Sequence, residues 1–201
     1  MKNSRKKSLY TLGIDEVGRG PLAGPGSVGV VRTALPRKQY SKLLSGIRDS
    51  KKATQAEREK WYEKAVIWKK EKKIDWEVTF KNAKYIDTKG IVPSIRACMY
   101  EGIKKVKGEY GDEYLLDGGL KLNPKYLHQK TIIKGDSKEP LIALAATIAK
   151  VVRDRYMRRL AKKYPKYGFE VHKGYGPKKH RTSILENGMS KEHRKTFVHL
   201  F

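Results

Sequence analysis

The sequence has one cysteine, few acidic residues and no long apolar run. The single cysteine, Cys98, excludes an internal disulfide framework and any zinc site built from several cysteines, so we expect a reducing, cytoplasmic setting. No stretch approaches the roughly 20 consecutive apolar residues needed to cross a bilayer. The N-terminal residues are basic and lead into a strand pattern, unlike a signal peptide. These absences predict a soluble protein that is neither exported nor bound to a membrane.

The shortage of acidic residues leaves the chain strongly basic. It has 46 Lys and Arg against 21 Asp and Glu in 201 residues, a formal net charge of +25. Such a charge favours a polyanionic partner, nucleic acid above all. Because 38% of the residues are apolar, the chain can build the core of one domain and is not a disordered basic tail. Composition alone does not separate an enzyme acting on nucleic acid from a structural RNA-binding protein.

Strand patterns alternate with helix patterns along the chain, which predicts an α/β domain. A Gly/Pro-rich turn between the first two strand patterns predicts a hairpin. No repeat or low-complexity linker divides the chain. The predicted strands cover residues 9–14, 27–33, 74–80, 113–117 and 131–134, and the predicted helices cover residues 55–68, 93–103 and 138–163.

Four acidic residues follow apolar strand patterns and have glycine nearby: Asp15, Glu16, Asp117 and Asp136. Since strand ends carry the catalytic sites of open α/β sheets, we expect these carboxylates to converge. Each like-charge pair at about 4 Å costs up to ~4 kcal/mol at an effective dielectric constant of about 20, so the cluster needs protons or cations. Oxygen ligands suit Mg²⁺ or Mn²⁺, and a pair of such ions can clamp a phosphodiester displacement. Each acid can also be an ordinary turn residue.

The neighbouring acids Asp15 and Glu16 pose a geometric problem. Adjacent residues of a strand point to opposite faces, so both can reach one site only if the strand ends or twists there. The following Gly18-Arg19-Gly20-Pro21 segment is predicted to supply the break. Its glycines permit positive φ and close backbone approach, so its N–H groups can meet a sugar or a phosphate.

Residues 13–25, Gly-Ile-Asp-Glu-Val-Gly-Arg-Gly-Pro-Leu-Ala-Gly-Pro, resemble the signature opening of ribonuclease HII, the type 2 ribonuclease H family. Further segments resemble that family in its own order, so that the similarity spans roughly residues 9–197. These segments are Arg48-Asp49-Ser50-Lys51-Lys52, Leu116-Asp117-Gly118, Lys134-Gly135-Asp136-Ser137, and residues 144–155, 164–169 and 172–176.

The resemblance implies a ribonuclease H-like α/β fold, a mixed central sheet flanked by helices with a small C-terminal helical module. It implies an endonuclease that hydrolyses the RNA strand of RNA–DNA hybrids and acts in ribonucleotide excision repair. It also implies cleavage 5′ of single ribonucleotides embedded in duplex DNA, leaving a 3′-hydroxyl and a 5′-phosphate. The implied division is a basic leader (1–8), a catalytic domain (9–163) and a C-terminal substrate-binding module packed on it (164–201).

The resemblance also implies roles for individual residues. The acids would hold Mg²⁺ or Mn²⁺, with two ions during catalysis. The Gly-Arg-Gly loop would contact the ribose 2′-hydroxyl and phosphates, the tyrosine would pack on the next sugar, and the lysine would lie near the scissile phosphate. The implied metal-binding and catalytic residues are Asp15, Glu16, Asp117 and Asp136, and the implied substrate-binding residues are Gly18, Arg19, Gly20, Lys51 and Tyr175.

Other residues have plainer interpretations. Asp154 is predicted to be an ion-pair partner outside the metal site, and Cys98 a buried small hydrophobe. Lys51 can also be a solvated lysine after a helix cap at Asp49-Ser50. His172 and His180 are expected to contact backbone or phosphate, since the histidines lack metal-ligand spacing.

The basic residues between 153 and 181 are either a solvated face or a phosphate-tracking groove. We favour the groove because matching acids are lacking in the segment, and we expect salt to weaken binding. Two alternative functions stay open, a non-catalytic hybrid- or RNA-binding protein and a nuclease of all-DNA junctions. We expect a monomer, and the Thr196-Phe197-Val198-His199-Leu200-Phe201 end leaves open a sliding-clamp-type partner.

Overall fold

A computed structural model of the protein describes residues 10–47 and 50–199. The predicted leader, Arg48 and Asp49 of the Asp-Ser-Lys motif, and the last two residues of the C-terminal end lie outside the described residues. The described residues form a mixed sheet of five strands in the order β3-β2-β1-β4-β5. The strands are β1 (Thr11–Val17), β2 (Gly26–Thr33), β3 (Asp75–Lys81), β4 (Glu113–Asp117) and β5 (His128–Ile132).

The predicted hairpin is confirmed, because β1 and β2 pair in antiparallel register from Thr11↔Thr33 to Val17↔Ser27. β3 adds antiparallel to β2, whereas β4 and β5 add parallel on the other side of β1. Parallel neighbours need crossover connections. The connection from β1 to β4 contains helices, whereas residues 118–127 join β4 to β5 without a helix. The carboxyl ends of β1 and β4 therefore lie at the same edge of the sheet.

Helices cover both faces of the sheet. The longest, α5, lies against β1 and β2. Gly13 and Gly29 permit this contact, because a Cβ atom on Gly13 would lie 2.4 Å from the carbonyl carbon of Leu141 and one on Gly29 would lie 2.3 Å from the carbonyl oxygen of Ala145. The helices are α1 (Arg37–Leu43), α2 (Gln55–Lys70), α3 (Ala83–Lys89), α4 (Ile91–Lys105), α5 (Pro140–Lys163), α6 (Phe169–His172) and α7 (Lys178–Asn187), with short 3-10 turns at Gly135–Ser137, Pro165–Tyr167 and Lys195–Phe197.

Two apolar clusters form the core on either side of the sheet. One joins the even-numbered side chains of β1 and β2 to α4, and it contains the predicted buried thiol of Cys98. The other joins Val31 to α5, α1 and α2. A third cluster packs Leu22 and Ala23 of the loop after β1 against α5 and Phe169 of the C-terminal segment. No helix in the described part of the chain is long and apolar enough to span a membrane.

The structure departs from the predicted elements at several points. The fifth strand ends at Ile132 rather than covering residues 131–134, because Ile133 is exposed and Lys134 has φ 55°. The short helices α1 and α3 were not predicted. α2 is capped by Thr54 through reciprocal hydrogen bonds with Glu57, and Asp49 of the alternative cap Asp49-Ser50 lies outside the described residues.

Positive φ occurs at four non-glycine residues within the described ranges, and all four are lysines: Lys72, Lys107, Lys134 and Lys173. The first two come just after α2 and α4 and line one cavity beside Arg32, at the end of β2 opposite the acidic edge. Lys134 and Lys173 precede Gly135-Asp136 and Gly174-Tyr175, two segments predicted to be functional.

Candidate active site

Carboxylates meet at the sheet edge where β1 and β4 end. Oxygen atoms of Asp15, Glu16 and Asp117 all lie within 4.8 Å of one another. Asp117 is the last residue of β4, and the parallel register of β1 with β4 stops at Ile14↔Leu116. The predicted convergence is therefore confirmed for these three acids.

Of the two predicted possibilities, a strand that ends at Asp15 and Glu16 or one that twists there, the first does not hold, since β1 continues to Val17 against β2. The pairing of β1 with β4 stops at Ile14↔Leu116, so β4 does not pair with β1 beside Asp15 and Glu16. The carboxylates meet around this edge of β1, and the Glu16 backbone N–H donates to Oδ1 of Asp15 at 2.6 Å. Alternation along β1 places Asp15 on the face toward α5 and Glu16 on the face toward α4.

Asp136 lies beside this group of three acids, on the 3-10 turn between β5 and α5 rather than at a strand end. The turn is tied to the cluster, because the Gly135 N–H donates to Oδ1 of Asp117 at 2.6 Å. A Cβ atom on Gly135 would lie 2.6 Å from Cδ1 of Ile142 and 3.1 Å from Oδ1 of Asp117, so a larger residue there would require these side chains to shift. Nζ of Lys51, an 85% exposed side chain, lies 3.8 Å from Oδ2 of Asp136.

Negative charge is concentrated in the acid cluster, although Arg19 pairs with Glu16 at 3.2 Å and Lys51 lies near Asp136. Burial raises the pKa of Asp15 well above its ordinary value, and the charges of Asp117, Glu16 and Asp136 raise it further, against one backbone hydrogen bond that lowers it. A cation would relieve this repulsion. Two oxygens bound to the same Mg²⁺ lie at most about 4.2 Å apart, so only a small closure of the cluster is needed. The carboxylate oxygens therefore fit a divalent metal ion.

The loop after β1 is held from behind by the buried guanidinium of Arg194. Its Nη2 donates to the Gly18 carbonyl at 2.7 Å, its Nη1 to the Arg19 carbonyl at 2.9 Å and its Nε to the Gly24 carbonyl at 2.9 Å. In a trans peptide the N–H points opposite to the preceding carbonyl. The N–H groups of Arg19 and Gly20 therefore point away from Arg194, as an anion- or hydroxyl-binding loop requires.

Arg153 joins this loop to the segment that carries Tyr175. Its Nε donates to the Pro25 carbonyl at 2.9 Å and its Nη1 to the Lys173 carbonyl at 3.0 Å. Both guanidiniums are fully buried, and no carboxylate among the described residues pairs with either. Burial and the neighbouring Arg153 charge lower the pKa of Arg194 to about 9.

The basic stretch of α5 is engaged within the protein, which corrects part of the groove prediction. Arg153 is buried, and Arg155 and Arg158 pair with Glu59 of α2 at 2.6 and 3.3 Å. The matching acid comes from a distant helix, which the local sequence did not indicate. The prediction for Asp154 is confirmed, because Lys150 Nζ lies 2.9 Å from its Oδ1.

The predicted substrate residues share one cavity of about 330 Å³ with two of the acids. Tyr175 is 44% exposed there. Sequence reasoning did not place Ser50 or Lys150 in this cavity. No motif distinguishes Lys150 from the other basic residues of α5. The lining residues are Asp15, Glu16, Val17, Gly18, Arg19, Gly20, Ser50, Lys51, Lys150 and Tyr175.

A chain of neutral histidines fixes the Tyr175 backbone. The Ser190 N–H donates to Nδ1 of His193 at 2.9 Å, so a neutral His193 carries its proton on Nε2. That proton faces Nε2 of His180 at 3.1 Å, and Nδ1 of His180 then donates to the Tyr175 carbonyl at 2.6 Å. Burial lowers the pKa of both rings to about 4. The prediction of backbone contacts is confirmed, since His172 Nε2 also meets a carbonyl, that of Tyr167.

Comparison with known proteins agrees with this geometry. The family model described as Ribonuclease HII matches residues 12–201. Ribonuclease HII of Bacillus cytotoxicus is 42% identical over 195 residues, covering 96% of this chain and 71% of that protein, and ribonuclease HII of Bacillus cereus strain AH820 is 43% identical with the same coverage.

Solved structures share the fold. The structure of the PCNA:RNase HII complex from Archaeoglobus fulgidus has a TM-score of 0.74 at 27% identity, covering 94% of this chain and 96% of that one. Ribonuclease H2 from Pyrococcus horikoshii OT3 has a TM-score of 0.72 at 23% identity, covering 93% of both chains. The predicted ribonuclease H-like fold is thus confirmed, and a carboxylate cluster stands at its sheet edge. The chain belongs to the ribonuclease HII family and is an endoribonuclease that degrades the RNA strand of RNA–DNA hybrids.

Proposed function

We propose that the chain also cuts 5′ of single ribonucleotides embedded in duplex DNA, leaving a 3′-hydroxyl and a 5′-phosphate. The observation that carries this proposal is one cavity in which Asp15 and Glu16 lie beside the N–H groups of Arg19 and Gly20. The 2′-hydroxyl is both donor and acceptor and distinguishes RNA from DNA. A rigid loop that presents backbone N–H groups within reach of the catalytic acids can select a single ribonucleotide.

We assign Asp15, Glu16, Asp117 and Asp136 as ligands of Mg²⁺ or Mn²⁺, with two ions held during catalysis. Bound divalent ions activate water and neutralise charge on the leaving oxygen. The protein positions the acids through the β1 and β4 ends and through the hydrogen bond from Gly135 to Asp117. Because Asp15 is already hard to ionise among its neighbours, cation binding and loss of its proton are coupled.

The substrate is held by groups on both sides of the cavity. Gly18, Arg19 and Gly20 contact the 2′-hydroxyl and adjacent phosphates, and Tyr175 packs against the following sugar. Lys51 reaches the scissile phosphate region from a position 3.8 Å from Asp136. Phosphate contacts set the register, and the 2′-hydroxyl contact carries the selectivity.

We retain the division into a leader (1–8), a catalytic domain (9–163) and a C-terminal substrate-binding module (164–201). Two contacts support it, namely the Arg194 hydrogen bonds to the Gly-Arg-Gly loop and the place of Tyr175 in the cavity. We also propose that the chain acts as a monomer. A sliding-clamp-type partner is proposed because the Archaeoglobus relative was solved as a complex with PCNA. Gel filtration of the chain alone tests the monomeric state, and its co-elution with a clamp tests the partner.

The deciding assay uses a duplex with one embedded ribonucleotide, incubated with Mg²⁺ or Mn²⁺. We expect a cut 5′ of the ribonucleotide and an untouched all-deoxy control. A substrate that is bound but not cut under either metal would favour the non-catalytic binding protein. A cut all-deoxy control would favour the DNA nuclease.

Asp136→Asn is expected to lower kcat at least a hundredfold with little change in substrate affinity, because a neutral amide is a poorer ligand for a hard cation. Asp154→Asn is the matched control, since this acid pairs with Lys150. We expect the control to keep activity within severalfold of the wild type in single-turnover assays. Equal activity of Asp136→Asn and the wild type would remove Asp136 from the metal site.

A further inference from the structure

A second, smaller pocket adjoins the active-site cavity. It has a volume of about 170 Å³ and lies between α4, the loop after β1 and the segment that follows β4. We propose that this flanking pocket binds a phosphate-bearing stretch of a substrate strand, away from the scissile bond. The proposal rests on the proposed function, because it extends the surface on which the same duplex lies.

The floor of the flanking pocket is apolar. Ile95 and Met99 come from α4 and Leu120 from the segment after β4, and all three side chains are buried. Val92 stands at the opening and is 48% exposed. An apolar floor with a few polar groups around it is the usual composition of a ligand site, and here it can accept the face of a sugar or a base.

The charged side chains of the rim are all cationic. They are Arg19, Arg96 and Lys121, all exposed, and no acidic residue lines the pocket. Within residues 10–47 and 50–199, Arg96 and Lys121 form no ion pair, and Arg19 pairs only with Glu16 at 3.2 Å. Three exposed cations around an apolar floor complement a sugar-phosphate strand, whose charges repeat along one edge.

The flanking pocket shares one lining residue with the active-site cavity. Arg19 lines both it and the active-site cavity. Lys121 follows Asp117 by four residues, which span at most about 14 Å of extended chain. The reach of the lysine side chain adds to this span. Since phosphates of one strand are spaced by about 3.4 Å along a duplex axis, the contacted phosphate lies within roughly six nucleotides of the scissile one.

The first test measures binding without divalent metal, so that no cleavage occurs. The double variant Arg96→Gln/Lys121→Gln is compared with Lys84→Gln/Lys104→Gln, which removes two exposed lysines from α3 and α4 away from the pocket. We expect the Kd of the ribonucleotide-containing duplex to rise five- to thirtyfold in the first variant and less than twofold in the control. Equal effects in both variants would overturn the proposal.

The second test locates the phosphate. Single neutral methylphosphonate linkages are placed at each position within six nucleotides of the ribonucleotide, on either strand. In the wild type one or two of them should weaken binding, and in Arg96→Gln/Lys121→Gln the same linkages should have no further effect. If every linkage weakens both proteins alike, the pocket does not hold the strand, and an acidic protein becomes the better candidate occupant.

Failure of this proposal is distinguishable from failure of the proposed function. Cleavage of the embedded ribonucleotide by the wild-type protein is scored separately, with metal present. A wild type that cuts at the ribonucleotide and shows no position-specific linkage effect would refute the flanking pocket alone. At saturating substrate, kcat of the double variant should stay within twofold of the wild type, because its carboxylates are intact; a larger loss would place the two cations in the catalytic site.

Discussion

At the scale of single residues, the conformation of the Gly-Arg-Gly loop depends on the buried guanidinium of Arg194, which binds the carbonyl groups of the loop. Three nitrogens of the Arg194 guanidinium donate to the carbonyls of Gly18, Arg19 and Gly24. This arrangement uses the planar, forked shape of the guanidinium. A lysine at this position keeps the charge but has one nitrogen in place of a planar fork. Arg194 is therefore a positioning residue for the Gly-Arg-Gly loop.

We expect Arg194→Lys to lose ribonucleotide selectivity. Loss of charge-assisted hydrogen bonds should lower the free energy of unfolding by roughly 2 kcal/mol. The ratio of Kd for the all-deoxy duplex to Kd for the ribonucleotide duplex should fall about tenfold, measured by fluorescence anisotropy without metal. Lys195→Gln, an exposed neighbour, is the control. A destabilised variant with an unchanged ratio would show that Arg194 supports the fold but not the selectivity.

The same scale explains what sequence reasoning misses. In a sequence, Arg153 and Arg194 look like any other of 46 basic residues. Their burial follows from contacts with carbonyls more than a hundred positions away along the chain. No local pattern carries that information, whereas the acids of β1 and β4 stand at the ends of apolar runs and are recognisable without a structure.

At the scale of elements, the parts with a strong local pattern were predicted well. β4 matches its predicted range, and α5 begins two residues later than predicted and ends where expected. β5 was misplaced because it is an edge strand with few buried side chains, so its apolar alternation is weak. Asp136 is predicted at a strand end, but it lies in the 3-10 turn Gly135–Ser137, a short element that sequence periodicity does not indicate.

The histidine chain of the C-terminal segment predicts a specific loss of stability in acid. The pKa of His180 and of His193 is about 4 when folded and near 6.5 when unfolded, so the unfolded chain binds more protons between these values. The contribution of these histidines to the free energy of unfolding is therefore fully present above pH 6.5. It is lost as the pH drops toward 4, by about 3 kcal/mol per histidine at most. Urea unfolding at pH 7, 5.5 and 4.5 measures this slope.

The control for this pH dependence is His180→Asn/His193→Gln. It should be less stable than the wild type at pH 7 because it breaks the chain to the Tyr175 carbonyl. Its stability should also change less between pH 7 and 4.5, since two titrating groups are gone. An equally steep slope in this variant would assign the acid sensitivity to other groups.

At the scale of the whole molecule, positive charge holds the duplex and a few carboxylates act on it. The net charge of +25 belongs mostly to exposed lysines, while the cluster of Asp15, Glu16 and Asp117 forms a local negative site. The overall charge attracts phosphates to the molecule, whereas the acid cluster would hold a phosphate only through bound cations. Binding and catalysis should therefore respond differently to salt.

Raising the salt concentration from 50 to 200 mM should weaken duplex binding by about a thousandfold or more if six or more phosphates are neutralised. KM should rise in step, whereas kcat at saturating substrate should change less than threefold, because the acid cluster is partly buried. Steady-state kinetics over a salt series measures both constants. A kcat that falls together with affinity would mean that salt acts on the catalytic acids themselves.

The four lysines with positive φ have a consequence for engineering. Positive φ costs a residue with a side chain about 1–2 kcal/mol. Replacement by glycine removes this cost, but part of the gain is lost because glycine loses more conformational entropy on folding. Lys72→Gly and Lys107→Gly are each expected to raise the free energy of unfolding by about 0.5 kcal/mol, measurable in urea, with cleavage unchanged. An equal or lower stability would show that these lysines gain as much from their surroundings as their backbone loses. These two positions lie at the end of the sheet opposite the acid cluster, so substitutions there can raise thermal stability without altering the active site.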